Sequence, residues 1–327
     1  MVVLSSEFRT FFAKKRVLVT GAAGFLGSWI SEVLIGSDAH VVCLDNLSTG
    51  RRDNLRNIKN RANIIIGDVE DANLDETYDF IFHFSSRASP EEYQKYPIET
   101  LSANSVGTIK MLELARKCDS TIIYASSSEV YGDPEVVPTP ESYNGNVSPT
   151  GLRSCYDEGK RFGEAACMAY FRQARVNARI ARIFNSYGPR IREDGAYARA
   201  LPRFIVQALA GQPITIYGSG KQTRSFCYVT DTIRGILKLA TRQDISGQVF
   251  NIGHTNELTI WDLAKLVIMA TKSDSKLTFL PAVSDDPRRR CPDVQRAARI
   301  LGWTAKVPLA DGLRQTIDWF RDIRAYS

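Results

Sequence analysis

The chain of 327 residues has only three histidines and six cysteines, and no two cysteines form a C-x-x-C pair. These counts argue against a zinc site and against a disulfide framework. The sequence also lacks an uninterrupted apolar run near the roughly 18 residues that a membrane-spanning helix needs. Its first residues show no apolar stretch that ends in a small-residue cleavage site, as a signal peptide would. We therefore expect a soluble, cytoplasmic protein without a metal site or a membrane partner.

Positive charge is in excess, with a formal net charge of +6, but the arginines are dispersed along the chain. A nucleic-acid-binding protein would gather its basic residues on one face and add stacking aromatic side chains. The sequence shows neither feature, so we expect no nucleic-acid partner. An anionic small-molecule substrate fits the charge at least as well.

Short apolar strands alternate with helical stretches over the first two-thirds of the chain. The predicted strands are RVLVT (16–20), HVVCLD (40–45), NIII (63–66), DFIFHF (79–84), TIIYA (121–125) and NARIARIF (177–184). The predicted helices cover 25–36, about 97–117, about 155–173, 200–211, 261–271 and roughly 309–326. Nearly continuous apolar strands separated by helices indicate a parallel sheet covered on both faces. The sequence therefore predicts an α/β fold with a doubly wound parallel Rossmann sheet.

The alternation loosens beyond residue 185, where a short strand, PITIYG (213–218), follows a helix. We therefore expect a smaller C-terminal α/β domain that binds the substrate. The predicted Rossmann domain spans 1–185, and the chain returns to it at about 226–255. The predicted substrate domain comprises 186–225 and 256–327.

The first predicted strand leads directly into a G-x-x-G-x-x-G turn, formed by Gly21, Gly24 and Gly27, and then into a helix. Glycines allow a tight turn and let backbone N–H groups meet a pyrophosphate at the positive helix end. Asp45 ends the second strand, where a carboxylate would bind ribose hydroxyls and reject a phosphate, which favours NAD over NADP. Asp68 follows the third strand and is placed to meet the adenine. The alternative is a purely structural turn in another α/β fold.

Tyr156 and Lys160 lie four residues apart, on one face of a predicted helix. A nearby lysine can lower the pKa of a phenol, so that the phenolate acts as a general base on an alcohol that loses hydride. The Y-x-x-x-K pattern alone is common by chance. It gains specificity here because it follows the glycine turn and the strand that ends in Ser126, Ser127 and Ser128. A serine hydroxyl at that strand end can share the substrate's hydroxyl proton.

This order of motifs resembles the extended short-chain dehydrogenase/reductase superfamily, whose members rearrange nucleotide sugars. Within it, four stretches of the chain are similar to UDP-glucuronate decarboxylases, which form UDP-xylose. These stretches are 146–161, 181–190, 217–226 and 285–293. The resemblance implies a UDP-sugar substrate and a bound NAD that is regenerated in each cycle. It also implies a homodimer that pairs through the helices at about 97–117 and 155–173.

The resemblance implies catalytic roles for five residues. Tyr156 would act as the base at sugar carbon 4, assisted by Lys160 and Ser127. Arg224 would orient the sugar's carboxylate and help to deliver a proton to carbon 5. Glu129 would position a water or disfavour the carboxylate electrostatically.

Binding residues follow from the same motifs and resemblance. The expected NAD contacts are Gly21, Gly24, Phe25, Leu26, Gly27, Asp45, Asn46, Ser48, Thr49, Gly50, Asp68, Val69, Phe84, Ser86, Ala125, Tyr156, Lys160 and Ser186. The expected substrate contacts are Ser128, Asn185, Arg190, Tyr217, Arg224 and Arg290. Among these, Arg190 and Arg290 would hold the diphosphate, and Asn185 would contact the uracil or the pyrophosphate.

Other functions share part of these motifs. A UDP-glucuronate or UDP-glucose 4-epimerase also begins with oxidation at carbon 4, but it lets the keto-sugar rotate and keeps every carbon. A 4,6-dehydratase of the dTDP-glucose type carries an aspartic acid where this chain has Ser128. A catalytically silent NAD-sensing protein typically lacks the tyrosine or the lysine, whereas Tyr156 and Lys160 are both present.

Single residues also have structural interpretations. Glu129 could be an exposed loop carboxylate, and Arg224 could be a strand-edge charge paired with Asp231. Asn185 could simply cap a turn. Arg87 departs from the family's pattern and could alter how the sugar's carboxylate is met.

Overall fold

The computed structural model describes residues 6–74, 76–193, 199–283 and 286–325. Its helices are α1 Ser6–Phe12, α2 Phe25–Gly36, α3 Pro90–Lys95, α4 Pro97–Cys118, α5 Ser154–Ala174, α6 Ala200–Leu209, α7 Val229–Thr241, α8 Ile260–Thr271, α9 Gln295–Leu301 and α10 Leu309–Ala325. Its strands are β1 Arg16–Thr20, β2 His40–Asp45, β3 Asn63–Ile66, β4 Phe80–His83, β5 Thr121–Ser127, β6 Asn177–Ile183, β7 Ser186–Tyr187, β8 Ile214–Tyr217, β9 Thr223–Ser225, β10 Cys227–Tyr228, β11 Gln248–Ile252, β12 Glu257–Thr259, β13 Leu277–Leu280 and β14 Arg289–Arg290. Short 3₁₀ turns occupy Arg52–Leu55 and Ser128–Tyr131.

Seven strands form one parallel sheet in the order β11-β6-β5-β4-β1-β2-β3. The chain winds outward from β1 in one direction as far as β3, and then crosses to β4 on the other side. This reversal leaves a crevice at the carboxyl ends of β1 and β4, where doubly wound folds bind their ligands. The predicted doubly wound α/β class is therefore confirmed.

Apolar side chains cover both faces of the sheet. Val17 and Val19 of β1 point into one buried cluster, together with Ile30 of α2. Leu18, between them, points into a second cluster with Leu112 of α4. Because strand side chains alternate between faces, a strand buried on both faces reads as an uninterrupted apolar run.

Most predicted elements agree closely with the structure. The predicted strands 16–20, 40–45 and 63–66 match β1, β2 and β3 residue for residue. β5 runs two residues past the predicted end at 125 and therefore carries Ser127 at its carboxyl end. α6 ends two residues before the predicted 211.

Four helices, α1, α3, α7 and α9, were not predicted from the sequence. The longest of them, α7, has Tyr228 at its N-cap, and no side chain caps it through a hydrogen bond. The capping signal that marks a helix start in a sequence is thus missing. After α7 the chain rejoins the large sheet through β11, which pairs in parallel with β6.

Three smaller sheets lie beside the large one. β8 pairs with β13, and β7 pairs with β10. β9 pairs with both β12 and β14, in a register that places Arg290 beside Arg224. Two arginines from distant parts of the sequence thereby become neighbours. Among the described residues, no helix is long and apolar enough to cross a membrane.

Gly163 allows α5 to lie close to β5, and an alanine there should destabilise the protein. A Cβ at Gly163 would lie 2.1 Å from the hydroxyl oxygen of Tyr124, which is fully buried. We expect Gly163→Ala to lower the free energy of unfolding by about 1–3 kcal/mol, measured by chemical denaturation. Gly67→Ala is the matched control, because nothing lies within 4 Å of its Cβ position. A Gly163→Ala protein as stable as the wild type would contradict this close approach.

Candidate active site

A large cavity of about 810 Å³ opens at the carboxyl ends of the sheet strands. It extends from the glycine turn after β1, past the start of α5, to β9 and β14. Its volume is that of a site for ligands of cofactor size. All the site residues predicted from the sequence line this cavity except Gly50 and Arg190.

The glycine turn between β1 and α2 has no room for side chains. Gly21 has a φ of +67°, and a Cβ there would lie 2.7 Å from the backbone carbon of Phe84. A Cβ on Gly27 would lie 2.1 Å from the carbonyl oxygen of Gly21. The N-terminal residues of α2 line the cavity, and the free N–H groups of a helix start suit a diphosphate. The residues present therefore fit a dinucleotide.

Asp45 is buried at the carboxyl end of β2, and its carboxylate is bound to the backbone around the turn. It accepts hydrogen bonds from the N–H of Ala23 at 2.9 Å and from the N–H of Leu47 at 2.8 Å. Burial raises the pKa of Asp45, while these hydrogen bonds act against the rise. Gly50 does not line the cavity, but a Cβ there would lie 2.8 Å from Asp45 Oδ1. Gly50 thus makes room for Asp45.

Tyr156 and Lys160 of α5 are both buried at the centre of the cavity wall. The Lys160 ammonium lies 5.8 Å from the centroid of the Tyr156 ring and donates a hydrogen bond of 2.9 Å to the carbonyl of Ala125. Burial lowers the pKa of Lys160 to about 7. Burial also raises the pKa of Tyr156 to about 12, although a hydrogen bond with Ser127 opposes the rise.

The sequence predicts that Lys160 brings the phenol of Tyr156 toward neutrality. Among the groups that act on the Tyr156 pKa, burial has the largest effect and raises it. The chain's own side chains therefore hold Tyr156 as a neutral phenol at pH 7. Ser127 lies at the end of β5 and lines the cavity, and its expected role of holding the substrate's hydroxyl stays a prediction.

Glu129 lies in the turn after β5 and forms ion pairs with two arginines. Arg290 of β14 contacts both of its carboxylate oxygens, one of them at 2.7 Å, and Arg153 contacts one of them as well. Burial opposes ionisation, but the two arginines outweigh it and lower the pKa of Glu129 to about 2. Both carboxylate oxygens are therefore bound by arginines, and the expected role of Glu129, to position a water or to disfavour the sugar's carboxylate, stays a prediction. The alternative of an exposed loop carboxylate is wrong, because both oxygens are bound.

Arg153 is the residue of this cluster that the sequence interpretation did not single out. It precedes α5 at the N-cap, three residues before Tyr156 and four before Asp157. Its Nε lies 3.6 Å from a carboxylate oxygen of Asp157. The i, i+3 and i+4 spacing on the catalytic helix was the available signal. Without the turn after β5 in place, that spacing could not indicate Glu129 as the partner.

Arg224 pairs with Asp286, not with Asp231. Its guanidinium lies 2.7 Å from a carboxylate oxygen of Asp286, and both residues line the cavity. Asp231 instead accepts hydrogen bonds from the backbone N–H groups of Lys306 and Val307. Asp285, which begins the last of the similar stretches, lies outside the described residues.

Arg190 does not reach the cavity, which corrects its expected role at the diphosphate. It forms an ion pair with Glu32 of α2, and its guanidinium lies 4.8 Å from the centroid of the Trp29 ring. Asn185 does line the cavity, and its side chain donates a hydrogen bond of 3.0 Å to the carbonyl of Ser225. Tyr217 lines the cavity as well.

His83 is buried beneath the cavity, between the hydroxyls of Thr20 and Thr108. Burial lowers its pKa to about 3, so the imidazole is neutral at pH 7. This agrees with a structural role. Within the described part of the chain, no group of three or more histidine, cysteine or acidic side chains could hold a metal ion.

The sheet order, the glycine turn and the buried tyrosine–lysine pair define a dinucleotide-dependent enzyme of the doubly wound class. Residues 17–253 match the NAD dependent epimerase/dehydratase family, and the chain belongs to this family. Its cofactor is accordingly NAD, and the resemblance to nucleotide-sugar enzymes is confirmed.

Several characterised proteins are similar to this chain. UDP-glucuronic acid decarboxylase 1 of Danio rerio is 45% identical over 94% of this chain and 73% of its own length. UDP-glucuronic acid decarboxylase 6 of Arabidopsis thaliana is 43% identical over 95% of this chain and 90% of its own length. Among solved structures, UDP-glucose 4-epimerase of Thermotoga maritima with UDP-glucose has a TM-score of 0.88 and 30% identity, covering 94% of this chain and 99% of that one.

Replacing Tyr156 with phenylalanine removes the candidate base without changing the shape of the site. We expect Tyr156→Phe to lower turnover by about 100- to 10,000-fold, because proton transfer loses its acceptor. NAD should stay bound to the variant. The absorbance of the cofactor that elutes together with the protein in gel filtration measures this binding. Tyr170→Phe, on the same helix but outside the cavity lining, is the control. Turnover at the wild-type rate in Tyr156→Phe would rule out this residue as the base.

Proposed function

We propose that the protein decarboxylates UDP-glucuronate to UDP-xylose through a 4-keto intermediate, with NAD regenerated in each cycle. The observation that carries the proposal is a complete Ser127, Tyr156 and Lys160 set in one cavity with Arg224 and Arg290. Its relatives over nearly the whole chain support the same reaction, since proteins 42–45% identical to it are UDP-glucuronic acid decarboxylases.

The residues that would hold NAD are those of the glycine turn, Asp45 and Lys160. The turn would accept the diphosphate on backbone N–H groups, and Asp45 would bind the adenosine ribose. NAD supplies the oxidation at sugar carbon 4 and the return of the hydride in the last step. Lys160 would contact the nicotinamide ribose and favour the phenolate form of Tyr156.

The chain's own side chains would manage the protons. In the phenolate form that Lys160 favours, Tyr156 accepts the proton of the sugar's 4-hydroxyl while Ser127 orients that hydroxyl. The resulting ketone is β to the carboxylate, so the bond to the carboxyl carbon breaks and carbon dioxide leaves. The electron pair moves into an enolate, whose oxygen the hydroxyls of Tyr156 and Ser127 stabilise. A proton then adds at carbon 5, and Tyr156 returns its proton to the oxygen at carbon 4.

Positive charge beside the sugar supports an acidic substrate. Arg153 and Arg290 share Glu129, and burial with the Glu129 charge raises the pKa of Asp157, the second carboxyl group beside Arg153, to about 7, so these arginines are not fully neutralised at pH 7. Arg224, which pairs with Asp286, adds a further guanidinium next to Arg290. We assign to Arg224 the orientation of the carboxylate and help in delivering the proton to carbon 5. A 4-epimerase acting on UDP-glucose would have no carboxylate to use these charges.

The two predicted domains remain part of this proposal. Residues 1–185 and 226–255 would hold NAD, and 186–225 with 256–327 would hold the UDP-sugar. The glycine turn and α5 support the first assignment, and the placement of Arg224 and Arg290 supports the second. We also propose a cytoplasmic location, in keeping with the free thiols of all six cysteines.

Product mass will decide between decarboxylation and epimerisation. We expect purified protein incubated with UDP-glucuronate and NAD to give a UDP-pentose and one carbon dioxide per substrate molecule. Mass spectrometry of the nucleotide sugar measures this product. Tyr156→Phe protein under the same conditions is the control for background breakdown of the substrate. A product of unchanged mass would show a 4-epimerase instead and would overturn the proposal.

We further propose that the protein is a homodimer paired through α4 and α5. These helices pack side by side and leave several large apolar side chains in solvent. Leu101 and Val106 of α4 are 46% and 55% exposed, and Phe162 of α5 is 44% exposed, whereas the exposed Ile98 at the start of α4 lines the cavity. An apolar face of this kind marks a protein–protein contact.

A charge on this apolar face should separate the subunits. We expect Phe162→Glu to convert a dimer into a monomer, as measured by light scattering after gel filtration, because a buried unpaired carboxylate is costly. Phe279→Glu makes the same change at a 53% exposed phenylalanine on β13 and should leave the dimer intact. A wild-type protein that is monomeric, or a Phe162→Glu dimer, would contradict the proposed interface.

A further inference from the structure

The ion-pair cluster around Glu129 contains a residue that the proposed reaction has not used. Arg153 is only 9% exposed in its side chain and contacts a carboxylate oxygen of Glu129. It lies at the N-cap of α5, one turn before Tyr156. Its guanidinium is also 5.9 Å from the ring centroid of Tyr93, whose ring stacks on Tyr156 at 5.2 Å. Arg153 thus lies near both Glu129 and the Tyr93 ring that stacks on Tyr156.

Arg153 and Arg290 are anchored to different elements of the fold. Arg290 of β14 lies beside Arg224 of β9, and Arg153, Arg224 and Arg290 all line the cavity. The Nε of Arg290 is buried and makes no hydrogen bond to any described residue. Arg153 and Arg290 both contact the Oε2 oxygen of Glu129, and Arg153 is also joined to α5 through Asp157. An anionic substrate that draws Arg290 away would leave Arg153 as the partner that keeps Glu129 in place.

We propose that Arg153 is a positioning residue for the reaction, which holds the Glu129 carboxylate ionised and correctly oriented when Arg290 turns to the substrate. This inference rests on the proposed function for its link to catalysis. Arg153 belongs to the start of α5, the helix that carries Tyr156 and Lys160. It thereby fixes the position of the Glu129 carboxylate relative to Tyr156, the candidate base.

The two acidic partners of Arg153, Glu129 and Asp157, differ in their ionisation. Burial and the Glu129 carboxylate raise the pKa of Asp157 to about 7, against the attraction of Arg153. One oxygen of Asp157 is buried and has no hydrogen-bond partner in the described part of the chain. Glu129 is therefore the acidic partner of Arg153 that stays ionised below neutral pH.

The pH dependence of kcat will test the proposal. Arg153→Met removes one of the two positive charges that lower the pKa of Glu129, so this pKa should rise in the variant. If activity needs the ionised Glu129 carboxylate, then acidification should abolish the activity of the variant at a higher pH than that of the wild type. We expect the acidic limb of kcat to move up by about 1–3 pH units. We also expect kcat at neutral pH to fall by about 100-fold, with the KM for UDP-glucuronate nearly unchanged.

Two further variants separate positioning from a general structural role. Arg153→Lys keeps the charge and should keep the acidic limb near its wild-type position, which also covers the case in which Arg153→Met does not fold. Arg153→Met added to Glu129→Gln should cost little more than Glu129→Gln alone, because Arg153 acts through Glu129. Arg172→Met, an exposed change on the same helix, should behave as the wild type.

The carboxyl ¹³C resonance of Glu129, assigned with Glu129→Gln, gives a readout that does not depend on turnover. Its titration should move up in Arg153→Met even if the wild-type product proves to be an isomer of unchanged mass. In that case the proposed function fails while the role of Arg153 stands. An unshifted Glu129 titration with an unshifted kcat limb would overturn the proposal. A rise in KM alone would also overturn it, since Arg153 would then contact the substrate directly.

Discussion

Two arginines from distant parts of the sequence bind one partly buried carboxylate, and the arrangement of the cavity wall depends on this contact. Glu129 belongs to the turn after β5, Arg153 starts α5, and Arg290 lies on β14. Removing charged groups from water is costly unless each has its partner, so these three elements must remain together. Because β14 pairs with β9, the same contact also fixes Arg224 at the cavity wall. One ion-pair cluster therefore joins the cofactor side of the cavity to its arginine-rich side.

Helix α5 carries the candidate catalytic pair and several of the residues that position it. It carries Tyr156 and Lys160 in a buried setting that disfavours the charged form of each, with pKa values of about 12 and about 7. Neither shift stabilises the charged groups that catalysis uses, so the site depends on what surrounds the pair. Ser127 at the end of β5 opposes the rise in the pKa of Tyr156, whereas the charge of Glu129 adds to it, and the ring of Tyr93 stacks on that of Tyr156. Gly163, one turn beyond Lys160, keeps the helix close to the strand.

The parallel sheet was predictable because its strands are buried on both faces and read as apolar runs, as at 16–20 and 40–45. The glycine turn and the tyrosine–lysine spacing were predictable for a related reason, since both are local patterns along one element. Helix α7 was not predicted, because no capping side chain marks its start at Val229. Its amphipathic face is paired only once the chain has returned to the sheet through β11.

By itself the sequence determined the fold class and the dinucleotide turn. It also indicated Ser127, Tyr156 and Lys160 as candidate active-site residues, since each pattern depends on neighbours within a few residues. Only the tertiary structure decided which charges meet. It paired Arg224 with Asp286 rather than Asp231, and it turned Arg190 toward Glu32 and away from the cavity. It also brought Arg153 and Arg290 together on the carboxylate of Glu129. Ion pairs between residues on different elements depend on how loops and small strands pack, and no periodicity along the chain records that packing.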